Sequence, residues 1–138
     1  MENDYVKWDD SFLVNMPVLD EQHKQLINTT NELILGCKKS RIAAQVAHIH
    51  AIRKAVEYAR SHFLDEEMYM VKAEYPCLKH HQDEHKAFLN RVLIDMKKFE
   101  EDSGSPLELV KFLQKWILNH IANVDQKCVP FFEKLQAE

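Results

Sequence analysis

Eight histidines occur in 138 residues, and most stand near carboxylates or aliphatic residues at intervals that a helix converts into proximity. His62 and Glu66 are four apart, as are His81 and His85; His23 lies between Leu19 and Leu26, and His120 follows Ile117 by three. Side chains three or four positions apart on a helix project the same way. Imidazole nitrogens and carboxylate oxygens are donors that suit divalent transition metals, so the chemistry open to these residues together is metal binding. Taken singly, each has a plainer reading, a core histidine satisfied by one hydrogen bond. The pairs shift the balance, because i,i+4 spacing presents two ligands to one ion. Four segments that all carry such residues on apolar faces shift it further, since unpartnered buried polar groups cost roughly 2 kcal/mol or more each.

The same periodicity sorts the neighbours. His81 is in register with His85, whereas His80 is rotated about 100° off that face and reads as a surface residue. His48 and His50 flank Ile49 and read as solvated. Asp125 follows His120 by five, about 140° around an α-helix. It joins the group only by reaching in from the flank near a helix end.

Four elements are needed to hold these residues, and the punctuation of the chain marks them. An N-terminal arm (1–18) carrying Trp8, Phe12, Leu13 and Val14 closes at Met16-Pro17. Helices are predicted over about 20–38, capped by Asp20, and about 40–71, capped by Ser40. A third is predicted over about 76–102, with Pro76 in its first turn and Ser103-Gly104 at its end. A fourth covers about 105–128, opened by the capping box Ser105-Pro106-Leu107-Glu108. Pro130 ends or restarts the last segment, 130–138. Each helix carries an apolar stripe: Leu19, Leu26, Ile27, Leu33 and Ile34; then Ile42, Val46, Ile49, Ile52, Val56 and Phe63; then Leu78, Phe88, Val92 and Met96; then Val110, Leu113, Ile117 and Ile121. One buried face per helix and short connections predict an all-α, up-down-up-down antiparallel four-helix bundle with an N-terminal arm, a single domain over 1–138.

Composition narrows the function classes. A net charge of −4 lacks the basic footprint of nucleic-acid binding. No apolar run reaches the roughly 18 residues of a membrane span. The first fifteen residues contain Glu2, Asp4, Asp9 and Asp10, unlike a secretion signal. Three cysteines, an odd number, read as reduced thiols in a cytoplasmic protein.

Leu19-Asp20-Glu21-Gln22-His23, His62-Phe63-x-x-Glu66-Glu67, Tyr75-Pro76 leading to His81-x3-His85, and Trp116-x3-His120-Ile121-x3-Asp125 closely resemble the bacterial hemerythrins, over nearly the whole chain from Trp8 onward. The resemblance implies a four-helix bundle that binds O2 reversibly at two iron ions. His81, His85 and His120 would hold one iron, and His23 and His62 the other. Glu66 and Asp125 would bridge them, with a solvent-derived oxo or hydroxo as third bridge. Two octahedral irons offer twelve positions, of which five histidines, two bridging carboxylates and a bridging oxygen fill eleven. The vacancy falls on the iron with two histidines, and an open position is what makes a metal site reactive. By the same resemblance O2 would sit there under a lid of Leu26, Phe63, Trp116, Ile117 and Ile121, apolar surface that keeps out water.

Two positions depart from the family's pattern. Cys128 stands where a tyrosine is usual and affects packing or solvent access near the site; Glu74 replaces a frequent glycine in a loop, where it matters little. The function expected is O2 carriage, storage or delivery to O2-using enzymes. The alternatives are O2 or redox sensing through a separate partner, and a di-iron oxidase or peroxidase. Ferritin-like oxidases use four glutamates and two Glu-x-x-His motifs, which the proposed ligands here do not reproduce.

Overall fold

Proline and serine start the helices. The computed structural model describes residues 5–137, leaving residues 1–4 of the expected arm and Glu138 outside. Helix α1 (Pro17–Lys39) opens with proline at its first position, where a missing N–H is no loss. Helix α2 (Arg41–Lys72) is capped by Ser40, whose hydroxyl accepts the Ala43 N–H at 3.0 Å. Helix α3 (Leu78–Glu100) follows the Tyr75-Pro76 bend, so Pro76 lies in the turn before the helix and not in its first turn as expected. Helix α4 (Pro106–Trp116) is capped by Ser105, which accepts the Glu108 N–H. Its path continues through π-helical turns over Ile117–Val124 and a 3-10 turn over Asp125–Cys128, after which α5 (Val129–Ala137) carries Pro130 in its first turn. Helix α2 packs along both α1 and α3, and α4 packs against α1, giving the antiparallel four-helix bundle.

Asp20 has a different task from the cap expected of it. It lies inside α1, and its Oδ1 accepts the Val14 N–H at 2.8 Å, which ties the arm to the helix. The arm is further held where the Asn31 side chain exchanges two hydrogen bonds with the Val6 backbone and where Gln126 donates to the Leu13 carbonyl.

The buried face of α2 also differs from the stripe of large residues. Ile42 is 74% exposed and Val46 63%, while His48, expected in solvent, is 3% exposed and meets the Phe99 ring edge-on at 5.2 Å. Small residues explain the rotation. A Cβ on Gly36 of α1 would lie 2.6 Å from the Ala47 Cβ and 2.9 Å from the Ala43 carbonyl oxygen, so the two helices meet backbone to backbone along alanines.

Helices α2 and α3 end alike. The Tyr75 N–H bonds to the Met70 carbonyl and that of Glu74 to Val71, while Ser103 bonds to Lys98 and Asp102 to Phe99. These are Schellman motifs, whose penultimate residue takes a left-handed conformation that favours glycine. Glu74 and Asp102 both have φ of +56°. Glu74, expected to matter little in a loop, therefore holds a backbone conformation that favours glycine.

Candidate metal centre

Each helix contributes to one buried cluster: His23 from α1, His62 and Glu66 from α2, His81 and His85 from α3, and His120 from the π-helical turns. All are at most 3% exposed, as is Asp125. Their donor atoms form two groups, each with every ligand atom within 4.8 Å of the others: Glu66 with His81, His85 and His120, and His23 and His62 with Glu66 and Asp125. The structure thus brings all seven expected ligands together. His80 is outside, with its side chain 69% exposed.

The two carboxylates lie between the groups. Glu66 places Oε1 3.1 Å from Nε2 of both His81 and His85, and Oε2 3.7 Å from His62 Nε2. Asp125 places Oδ1 2.8 Å from His81 Nε2 and 3.1 Å from His120 Nε2, and Oδ2 3.3 Å from His23 Nε2. Glu66 Oε1 and Asp125 Oδ1 together face His81, His85 and His120, while Glu66 Oε2 faces His62 and Asp125 Oδ2 faces His23.

Asp125 owes its place to the π-helical turns. Its N–H bonds to the His120 carbonyl, an i→i+5 bond. The extra residue per turn brings position i+5 close to where i+4 would fall in an α-helix, so Asp125 joins the face of His120. Short π-helical insertions of this kind concentrate at functional sites.

A shell of hydrogen bonds fixes the rings. His85 Nδ1–H donates to Glu67 Oε2 at 2.7 Å, His120 Nδ1–H to Glu84 Oε1 at 2.6 Å, and His62 Nδ1–H to Gln22 Oε1 at 2.6 Å. Each bond leaves Nε2 pointing inward with a free lone pair, the arrangement of metal-ligating histidines. The His81 ring and the Tyr75 hydroxyl both reach the sulfur of Cys128, which is fully buried, so this thiol touches one of the expected ligands directly.

The interior of the cluster is short of protein partners. Glu66 Oε2, Asp125 Oδ2, and Nε2 of His85 and His120 are buried without a hydrogen bond, as is His23 Nδ1. Nε2 of His23 and of His62 face one another at 3.0 Å. Burial and the neighbouring His23 push His62 down to about 3, which keeps it neutral. Burial would also raise the two carboxylates, but the surrounding histidines hold both Glu66 and Asp125 below the ordinary carboxylate range. Against its own burial, hydrogen bonds with Asp125, Cys128 and Glu66 push His81 up to about 12, a proton drawn in by two adjacent anions. Cations between the facing nitrogens and oxygens would satisfy the inward atoms together, His23 Nδ1 lying on the outer side of its ring, and the donor set suits first-row transition metals.

Aromatic rings wall the cluster. Phe63 stacks on His85 at 3.8 Å and Trp116 on His120 at 3.9 Å, while Ile117 and Ile121 are fully buried and Leu26 is 2% exposed. The ring stacked on His62, at 4.6 Å, belongs to Tyr58, which the apolar lid read from sequence omits. Its spacing is the signal, because Tyr58 precedes His62 by four. Burial and the charges of Asp125 and Glu66 raise the Tyr58 phenol well above its ordinary range, so it is neutral.

Known proteins place this arrangement. The family model described as the Hemerythrin HHE cation binding domain matches residues 15–132. A bacteriohemerythrin of Stenotrophomonas maltophilia is 33% identical over 119 residues, covering 86% of this chain and 76% of that protein. A myohemerythrin of Riftia pachyptila is 30% identical over 122 residues, covering 87% and 88%. Among solved structures, a wild-type hemerythrin aligns with a TM-score of 0.77 and 25% identity over 92% of this chain and 97% of that one. With the match spanning both the ligand-bearing helices and the π-helical turns, the chain belongs to the hemerythrin family.

Proposed function

We propose that the chain binds O2 reversibly at a pair of irons, one held by His81, His85 and His120 and the other by His23 and His62, with Glu66 and Asp125 bridging. The chain is an O2-binding protein of the hemerythrin family. The observation that supports the two-ion reading is the division of each carboxylate's oxygens between the two histidine groups. Bound irons would supply the electrons by which O2 is held and released.

The remaining work falls to the protein. Glu67, Glu84 and Gln22 orient three imidazoles through their outer nitrogens. Leu26, Phe63, Trp116, Ile117 and Ile121 form the apolar O2 pocket, which limits the water and protons reaching a bound ligand and so favours release of O2 unchanged. Five histidines and two carboxylates supply fewer anionic donors than an oxidase site, which supports a binding protein rather than an enzyme. Carriage, storage or delivery to O2-using enzymes in the cytoplasm completes the reading. Among the described residues no helix is long and apolar enough to cross a membrane.

Reconstitution with Fe(II) followed by metal analysis and azide titration tests this. Two irons per chain and an azide-dependent absorption change are expected; one metal or none per chain contradicts the reading.

A further inference from the structure

The outer surface between α1 and α2 carries a groove of about 990 Å³. Its exposed rim includes Glu21, Lys54 and Glu57, and its buried floor includes Leu26, Thr29, Tyr58 and His62 beside half-buried Gln22. This groove therefore descends from solvent to a histidine of the two-histidine group, where the open coordination position is expected.

Of the floor residues, Tyr58 joins the groove to the aromatic wall of the cluster. His62 is held by its 2.6 Å bond to Gln22, and Gln22 in turn donates to Asp65 at 2.9 Å. Leu26 and Tyr58 both belong to the main apolar core. The Tyr58 ring lies against His62 and meets the Phe63 ring at 5.2 Å, and its hydroxyl accepts the Trp116 indole N–H at 3.3 Å. That bond is longer than the usual 2.9–3.0 Å of an N–H···O contact and correspondingly weak. Tyr58 thus lies as a flat plug between the groove and the Phe63 and Trp116 rings, held by packing against His62, Phe63 and Phe88 and by one long tether.

We propose that Tyr58 is a size-selecting gate through which small ligands pass from the α1/α2 groove to the two-histidine side of the centre. The proposal rests on the O2-binding reading for its purpose, but its geometry belongs to the protein alone. Rotation of the ring away from His62 breaks the Trp116 tether and joins groove to interior. Diatomic and triatomic ligands pass during such openings, and larger molecules stay in the groove.

Two measurements on two variants test the gate. In the diferric protein, the stopped-flow association rate of azide should rise about tenfold in Tyr58→Ala, where the plug is gone. It should rise about threefold in Tyr58→Phe, where the plug remains and the tether is lost. Iron content should stay at the wild-type level in both. In the diamagnetic zinc-loaded protein, O2 dissolved under pressure should enhance methyl relaxation at Ile117 and Ile121 more strongly in Tyr58→Ala than in wild type. Azide rates and relaxation that both stay at wild-type values overturn the gate. A wild-type protein that shows no azide response while the zinc form retains the Tyr58-dependent relaxation overturns the O2-binding reading and upholds the gate.

Discussion

Glu66 is the residue on which the two-ion reading turns, because it belongs to both donor groups. Glu66→Ala removes a donor from each group at once, so iron content of the reconstituted protein should fall below one per chain. His80→Ala is the matched control: its ring is exposed and bonds Glu84 from outside, so metal content should stay at the wild-type value. Metal analysis of the two variants side by side decides; full iron in Glu66→Ala contradicts the bridge. Much of this is legible in the sequence. Helical spacing alone selects His81 over His80 and pairs His62 with Glu66. Spacing could not account for Asp125, because an α-helical count of five points it away and only the π-helical turns turn it inward. Tyr58 carries a spacing signal, four before His62, but its stacking shows only when the His62 ring is seen against it.

At the scale of elements, two positions carry backbone constraints that side-chain patterning hides. Replacing glycine by alanine inside a helix normally stabilises by about 0.5–1 kcal/mol. At Gly36 the added Cβ would meet Ala47 at 2.6 Å and the Ala43 carbonyl at 2.9 Å, and neither can swing away. Gly36→Ala should therefore destabilise the fold by about 1–3 kcal/mol, read by urea unfolding. The opposite sign is expected at the end of α2. Glu74 holds a left-handed φ of +56°, so Glu74→Gly should stabilise by about 1 kcal/mol and raise the melting temperature by roughly 3–5 °C. The starts of α2 and α4 were readable from Ser40 and Ser105, whereas that of α1, expected at Asp20, lies at Pro17, and the buried face of α2 was not readable. Its stripe of large residues names Ile42 and Val46, but close approach at Gly36 turns the alanines inward instead.

Across the whole molecule, a further buried histidine, His48, lies outside the ligand cluster, among α2, α3 and the loop to α4. His48 packs against Phe99 and close to Gly104, where an added Cβ would lie 3.0 Å from its Cε1. Burial lowers its pKa below 6.5, opposed by the Asp95 charge. The unfolded chain therefore binds the proton more readily, and the stability linked to neutral His48 is full above about pH 6.5 and lost as pH falls through the folded-state value. His48→Phe should flatten the decline of melting temperature below pH 6.5 relative to wild type; parallel declines contradict this linkage. The antiparallel bundle itself follows from four amphipathic stripes with short connections, which is why the whole was easier to read than its irregular turns. What the bundle is for is tested most directly by cycling the reconstituted diferrous protein between argon and O2 while recording its visible spectrum. The account predicts an absorption that appears with O2, disappears under argon and returns over repeated cycles with two irons retained. A spectrum that changes once on exposure to O2 and never reverts would contradict reversible binding.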